Sequence, residues 1–165
     1  MRPDDYIKEK HSNSSQGNES DFYRMIELHD QISELEPMAT WVNQICEELH
    51  ISEVHCMNIN LVLEEAVVNV VSYAYPDKTQ QHLFWVECEI NKDKYSTWRI
   101  IDKGVPFDPT QQEEADITLN AEDRPIGGLG IFMIRQIADS VSYERKDDQN
   151  IFTIEMDLSK EPLPE

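Results

Sequence analysis

Apolar positions along the chain change period several times between residues 22 and 158. Residues 22–28 read as a first strand. A helix follows, opening between Ser33 and Pro37, with Trp41, Val42, Ile45 and Leu49 at helical spacing. Ser33 with Glu36 three residues on has the form of a capping box, and Pro37 leaves the exact start open. A second helix is predicted over residues 54–75, ending before Pro76. Residues 83–90 and 95–101 then read as strands. In the first of them Phe84, Val86, Cys88 and Ile90 alternate with Leu83, Trp85, Glu87 and Glu89. Residues 104–125 are polar and weakly periodic. Gly127-Gly128-Leu129-Gly130 next opens a third helix whose apolar stripe is Ile131, Ile134, Ile137 and Ala138. Strands over residues 141–145 and 151–158 close the pattern. The short link between residues 90 and 95 allows a hairpin but no crossover helix. The order therefore predicts an α+β fold, a two-layer α/β sandwich with helices on one face of a mostly antiparallel, mixed sheet.

Both ends fall outside this pattern. Residues 1–20, with the run Ser12-Asn13-Ser14-Ser15-Gln16-Gly17-Asn18, read as a flexible N-terminal arm, and residues 159–165 as a C-terminal tail. One domain, residues 21–158, remains between them, and no internal repeat is visible. The 165 residues carry 14 Lys and Arg against 33 Asp and Glu, a formal net charge of −19. So acidic a chain repels phosphate backbones and anionic lipid, which argues against direct nucleic-acid or membrane binding and favours basic protein partners. The longest apolar stretch, residues 61–75, is short and carries Glu64, Glu65 and Asn69, so it is not expected to span a bilayer. The N-terminus has no apolar signal core. Cys46, Cys56 and Cys88 show no pairing pattern and read as reduced packing residues. Together these features predict a cytoplasmic protein. His11, His50, His55 and His82 lack ligand spacing and are expected at the surface.

Two regions could carry chemistry. On a helical wheel of roughly 100° per residue, Asn58, Glu65, Asn69 and Ser72 share one stripe. Opposite lie Ile59, Leu63, Val67, Val70 and Ala74, and Leu61 and Val62 flank the polar stripe closely. Glu65 and Asn69 are either a solvated i,i+4 pair or oxygen ligands for a bound cation and its own ligand; Glu64, roughly 100° round, belongs to solvent. The second region combines two turns. Asp102-Lys103-Gly104 ends an apolar strand, where a carboxylate can accept from an exocyclic amine and a glycine lets a flat ring approach the backbone. Gly127, Gly128 and Gly130 precede a helix, where bare amides and the helix dipole suit phosphate, although glycines also serve simple junctions. Neither GxxxxGK[ST] nor a strand-borne GxGxxG is present.

Taken in order, Glu65-Ala66-Val67-Val68-Asn69, Asp102-Lys103-Gly104 and Gly128-Leu129-Gly130 resemble the N, G1 and G2 boxes of a large ATPase and kinase superfamily. That superfamily includes DNA gyrase, the heat-shock chaperone ATPase and sensor histidine kinases. Residues 63–75, 102–109 and 127–135 look most like its bacterial anti-sigma-factor serine/threonine kinases of the stress and sporulation type. The resemblance covers residues 22–158. It implies that ATP and Mg²⁺ bind, with Asn69 ligating the metal, Glu65 acting as general base and Asp102 holding the adenine amine. Gly104 would lie beside the ring, Gly127, Gly128, Leu129 and Gly130 would give amides to the phosphates, and residues 104–126 would form the ATP lid. It further implies a serine kinase that phosphorylates an anti-anti-sigma protein and sequesters a sigma factor, with a homodimer as the expected assembly.

Some positions depart from that pattern. Ser72 and Tyr73 stand where relatives often carry a basic residue, which leaves Lys103 and Arg124 as the nearby cations. Pro106 replaces a third glycine, and Thr153 is the candidate for the superfamily's threonine on the last sheet segment. Arg124 reads either as a phosphate contact or as a solvated lid residue, and Arg135 as a salt-bridge residue. A second functional reading is a non-catalytic switch that binds ATP and transfers nothing. A third, the catalytic piece of a histidine kinase using His29, lacks a two-helix dimerisation segment before the domain.

Overall fold

The computed structural model describes residues 22–111, 118, 120, 122 and 129–161. The expected N-terminal arm, Gly127, Gly128, Arg124, most of the expected lid and residues 162–165 lie outside the described residues. Five strands make one sheet: β1 (Phe22–His29), β2 (Leu83–Ile90), β3 (Tyr95–Asp102), β4 (Ser140–Lys146) and β5 (Gln149–Asp157). Their order is β1-β2-β3-β5-β4, and every neighbouring pair is antiparallel, so the sheet is not mixed. Three α-helices, α1 (Leu35–Glu48), α2 (Glu53–Asn69) and α3 (Leu129–Ile137), pack on one face.

Period-2 alternation explains the sheet. Phe84, Val86, Cys88 and Ile90 of β2 join Trp98 and Ile100 of β3 and Phe152, Ile154 and Met156 of β5 under the helices. Trp41 of α1 meets Trp98 edge-on, with ring centroids 6.1 Å apart. From α3, Ile131 and Ile134 are fully buried, each stabilising the fold by about 1.5–3 kcal/mol. The opposite face of the sheet is not simply wet. Trp85, Ile101 and Ile151 form a second apolar cluster there with Met25. Beside it Glu87 is buried, accepts from Tyr23 Oη at 3.2 Å and lies 3.6 Å from Arg99 Nη1. The polar-looking positions of β2 thus form a buried charged cluster.

The ends of the helices depart from expectation in two places. The predicted Ser33–Glu36 capping box does not form. A short 3₁₀ turn, Ile32–Glu34, comes first, and α1 starts at Leu35 with no side-chain cap. Pro37 then falls in the first turn, where its missing N–H would have had no partner. Helix α2 is capped by Ser52, whose hydroxyl accepts from His55 N at 3.2 Å. His55 itself is buried, not a surface residue, because its ring Nε2 meets Lys160 O at 2.8 Å.

Helix α2 runs on through a π-turn, Val70–Ala74. By length and mean hydropathy alone the combined 22-residue helix, Glu53–Ala74, could cross a bilayer. It is longer than its apolar stretch alone suggested. Its apolar side is already spent, with Ile59, Val62, Leu63, Ala66, Val67 and Val70 all in the core.

The π-turn delivers the end of the helix onto the end of β3. Ala74 O accepts from Val105 N at 2.8 Å, and Tyr75 Oη donates to Leu83 O and accepts from Lys103 N, both at 3.0 Å. Burial pushes the Tyr75 phenol up to about 12, so it stays a neutral donor. Gly104 makes the close approach possible: a Cβ there would lie 2.2 Å from Ala74 O and 2.6 Å from Ala74 C. Because those are backbone atoms, Gly104→Ala is expected to destabilise the protein by about 1–3 kcal/mol, read from urea unfolding. Unchanged stability would contradict this account of the junction.

Candidate nucleotide site

Alternation along β3 decides which polar groups face the helices. Ser96, Trp98 and Ile100 point under them, so Asp102 does as well, at 5% exposure. In the ladder Asp102 sits directly opposite Asn150 of β5, and Asn150 opposite Arg145 of β4. A two-residue turn fixes that register: Asp147 and Asp148 have φ of 52° and 59° between the paired Lys146 and Gln149, as a type I′ hairpin requires.

The Asp102 carboxylate is anchored through one oxygen. Its Oδ1 accepts from Gly104 N at 2.9 Å and from Asn150 Nδ2 at 2.9 Å. Among the described residues no donor reaches Oδ2. Burial pushes the Asp102 carboxyl above its ordinary range, and the bonds from Asn150 and Gly104 and the nearby Arg145 guanidinium oppose that rise. Arg145 Nη1 also donates to Gly104 O at 2.9 Å, which braces the turn that follows β3.

Asp102 and Asn150 line a small pocket. Its apolar wall comes from Ala66, Val70 and Ala74 of the long helix and from Ile100, Phe107 and Phe152. Asn69 and Tyr143 also border it. At the outer end Tyr73 stacks on Phe107, with centroids 5.6 Å apart. An apolar pocket with a buried carboxylate in its lining suits a heteroaromatic ring.

One turn back along α2, Glu65 lies against the first turn of α3. A Cβ on Gly130 would sit 2.6 Å from Glu65 Oε2, so the bare Gly130 leaves room for that carboxylate. Glu65 is half-buried while its neighbour Glu64 is exposed, as the wheel indicates. Burial, and after it the Glu64 charge, raises the Glu65 carboxyl above its usual range. Asn69 is likewise half-buried. Glu65 is therefore neither bulk-exposed nor remote from Gly130.

Hard oxygen donors such as Asn69 and Glu65 suit Mg²⁺. Among the described residues no group of three or more His, Cys, Asp or Glu side chains could hold a metal by itself. Such a cation would need phosphate oxygens and water to complete its shell, as Mg²⁺ usually does. The donor set fits that ion.

Several expected positions fall elsewhere. On its Cβ side Gly104 packs against Ala74. The backbone of Leu129 begins α3. Lys103 Nζ lies 5.6 Å from the centroid of the Trp85 ring, on the helix-free face, because it is one residue out of phase with Asp102. Thr153 also falls on that face, opposite Arg99 and Ser142, so it cannot reach the pocket. Asn150 takes the place beside Asp102, and sequence reasoning missed it. Arg135 donates to Thr110 O.

Comparison with known proteins agrees with this geometry. The chain is 28% identical over 97 residues to the serine/threonine-protein kinase BtrW of Bordetella bronchiseptica, covering 58% of this chain and 66% of that protein. To the serine-protein kinase RsbW of Listeria monocytogenes it is 33% identical over 88 residues, covering 51% of this chain and 55% of that protein. The chain thus spans less than two thirds of the length of these curated relatives. Among solved structures, the RsbU and RsbW domains of Rv1364c from Mycobacterium tuberculosis superpose with a TM-score of 0.59 at 13% identity, covering 82% of this chain and 32% of that one, a likeness of fold. A family model described as the histidine kinase-like ATPase domain matches residues 29–156, most of the chain. On that match the protein belongs to the histidine kinase-like ATPase domain family.

Proposed function

We propose that this chain is a Mg-ATP-dependent protein serine kinase of the anti-sigma type, working in the cytoplasm. Its substrate would be an anti-anti-sigma protein and its captive a sigma factor. The observation that carries this reading is the convergence of Asp102, Asn69 and Glu65 at one end of the molecule. Two of them line a single pocket, and the third lies against Gly130 at the start of α3. The names of the curated relatives, both serine kinases, support the reaction type. The acidic balance of −19 suits a basic patch on a sigma factor.

In this reading Asp102 accepts the exocyclic amine of adenine, with the ring held in the apolar pocket. Asn69 donates its side-chain oxygen to the cation. Amides of Gly127, Gly128, Leu129 and Gly130 receive the phosphates at the helix N-terminus, and the residues of the long 104–126 segment close over them. Mg²⁺, when bound, neutralises charge on the triphosphate, which a protein this acidic cannot do alone. Glu65 takes the proton from the incoming serine hydroxyl. Burial, and after it the Glu64 charge, raises its carboxyl and so makes it a stronger base. Like its relatives by resemblance, the chain would act as a homodimer.

One observation favours the alternative, a switch that binds ATP without transferring phosphate: among the described residues that line the pocket none is basic. Glu65→Gln separates the two readings. A kinase loses about 10²–10⁴-fold in phosphoserine formation on a candidate anti-anti-sigma protein while keeping its ATP affinity within about threefold. If ATP-driven partner release survives the substitution and the parent protein forms no phosphoserine, the switch reading wins.

The pH profile gives a second test. The ionised form of Glu65 is the active base, and its raised pKa means that this form is lost sooner as pH falls. The single-turnover rate should therefore decline on acidification with a midpoint above the ~4.3 of a free glutamate. A rate that stays flat down to about pH 4 would contradict Glu65 as the base.

A further inference from the structure

Asn150 has no counterpart in the motifs, yet it is 3% exposed and uses all of its hydrogen-bonding capacity. Its Nδ2 donates to Asp102 Oδ1 at 2.9 Å and to Val105 O at 2.8 Å. Its Oδ1 accepts from Tyr143 Oη at 2.6 Å and from Phe107 N at 3.4 Å. Two donors and two acceptor sites are thus matched, which is the full complement of a carboxamide. The orientation of the amide is also determined. Turned over, its oxygen would face a carboxylate and a carbonyl, and its NH₂ would face the Phe107 N–H.

This arrangement has a chemical consequence. The Asn150 N–H and the Gly104 N–H occupy Oδ1, so Oδ2 is the acceptor left over. Tyr143 and Asn150 stand on adjacent strands and line the same pocket. Through Val105 and Phe107, the same amide holds the turn after β3, which supplies part of the pocket wall.

We propose that Asn150, held by Tyr143, is a positioning residue for base selection: it fixes Asp102 so that a single carboxylate oxygen faces the ring edge. A 6-amino purine presents a donor to that oxygen, while a 6-oxo purine of the same shape presents an acceptor and is rejected. The inference rests on the adenine-nucleotide reading above and assigns its selectivity to residues outside the three motifs.

The test is titration calorimetry of the full chain with Mg-ATP and with Mg-ITP, whose hypoxanthine ring replaces the amine by an oxo group. The parent protein should prefer ATP. Asn150→Ala should weaken ATP by about tenfold and leave ITP within about twofold, so the preference narrows by about the same tenfold. Tyr143→Phe, which removes one hydroxyl from a half-buried site and keeps the ring, should narrow it by about threefold. Asn150→Thr, which keeps a donor, should recover more of the preference than Asn150→Ala. Equal weakening of both nucleotides in Asn150→Ala and Tyr143→Phe, or an unchanged ratio in both, would overturn the proposal and reduce Asn150 to a structural residue. A parent protein that binds neither nucleotide would overturn the nucleotide reading itself, and this inference with it.

Discussion

The site depends on one backbone junction. The last turn of the long helix lies on the turn after β3, with Ala74 O bonded to Val105 N and no room for a side chain at residue 104. Helix α2 carries Asn69 and Glu65, while β3 carries Asp102. Their relative placement is set where those two elements meet. The π-turn at Val70–Ala74 adjusts the approach by widening the last turn of the helix. Tyr75 adds a second tie through its hydroxyl. Positioning of this kind matters more for phosphoryl transfer than any single reactive group, since catalysis there is mostly alignment and charge neutralisation.

Electrostatics explains why the two carboxylates behave unlike the many others. Most of the 33 acidic residues can sit in solvent and contribute to self-repulsion and steering. Asp102 and Glu65 are both raised chiefly by burial, but their surroundings differ. Asp102 is held by N–H donors and the Arg145 guanidinium, which keep it a fixed acceptor. Beside Glu65 stands Glu64, a like charge, which favours its taking up a proton. In the proposed reading the first group holds a hydrogen bond and the second exchanges a proton.

Much of this was legible from the chain. Alternation in residues 83–90 and the short link to residue 95 identified the central hairpin, and the wheel placed Asn69 and Glu65 on one stripe of α2, where both are half-buried. The π-turn was not legible, because Val70 to Ala74 contains no glycine or proline to mark a change of helical type. The capping box failed for a related reason: Ser33 and Glu36 fit the motif, but the 3₁₀ turn set the helix start later. Asn150 was missed because it lies two residues after Asp148 and reads as part of the turn. Its phase carried the signal, since Asn150, Phe152, Ile154 and Met156 alternate inward along β5. The same count excludes Thr153 and turns Lys103 away from the pocket. The burial of Glu87 was not legible, because the groups that surround it come from other strands.

The account stands or falls on whether these groups share one ligand. A crystal structure of the full chain with Mg²⁺ and a non-hydrolysable ATP analogue tests that most directly. It should show the adenine amine on Asp102 Oδ2, the cation on Asn69 and the terminal phosphate facing Glu65 beside the start of α3. A nucleotide bound instead in the groove between Val54 of α2 and Ile137 of α3, away from Asp102, would contradict it.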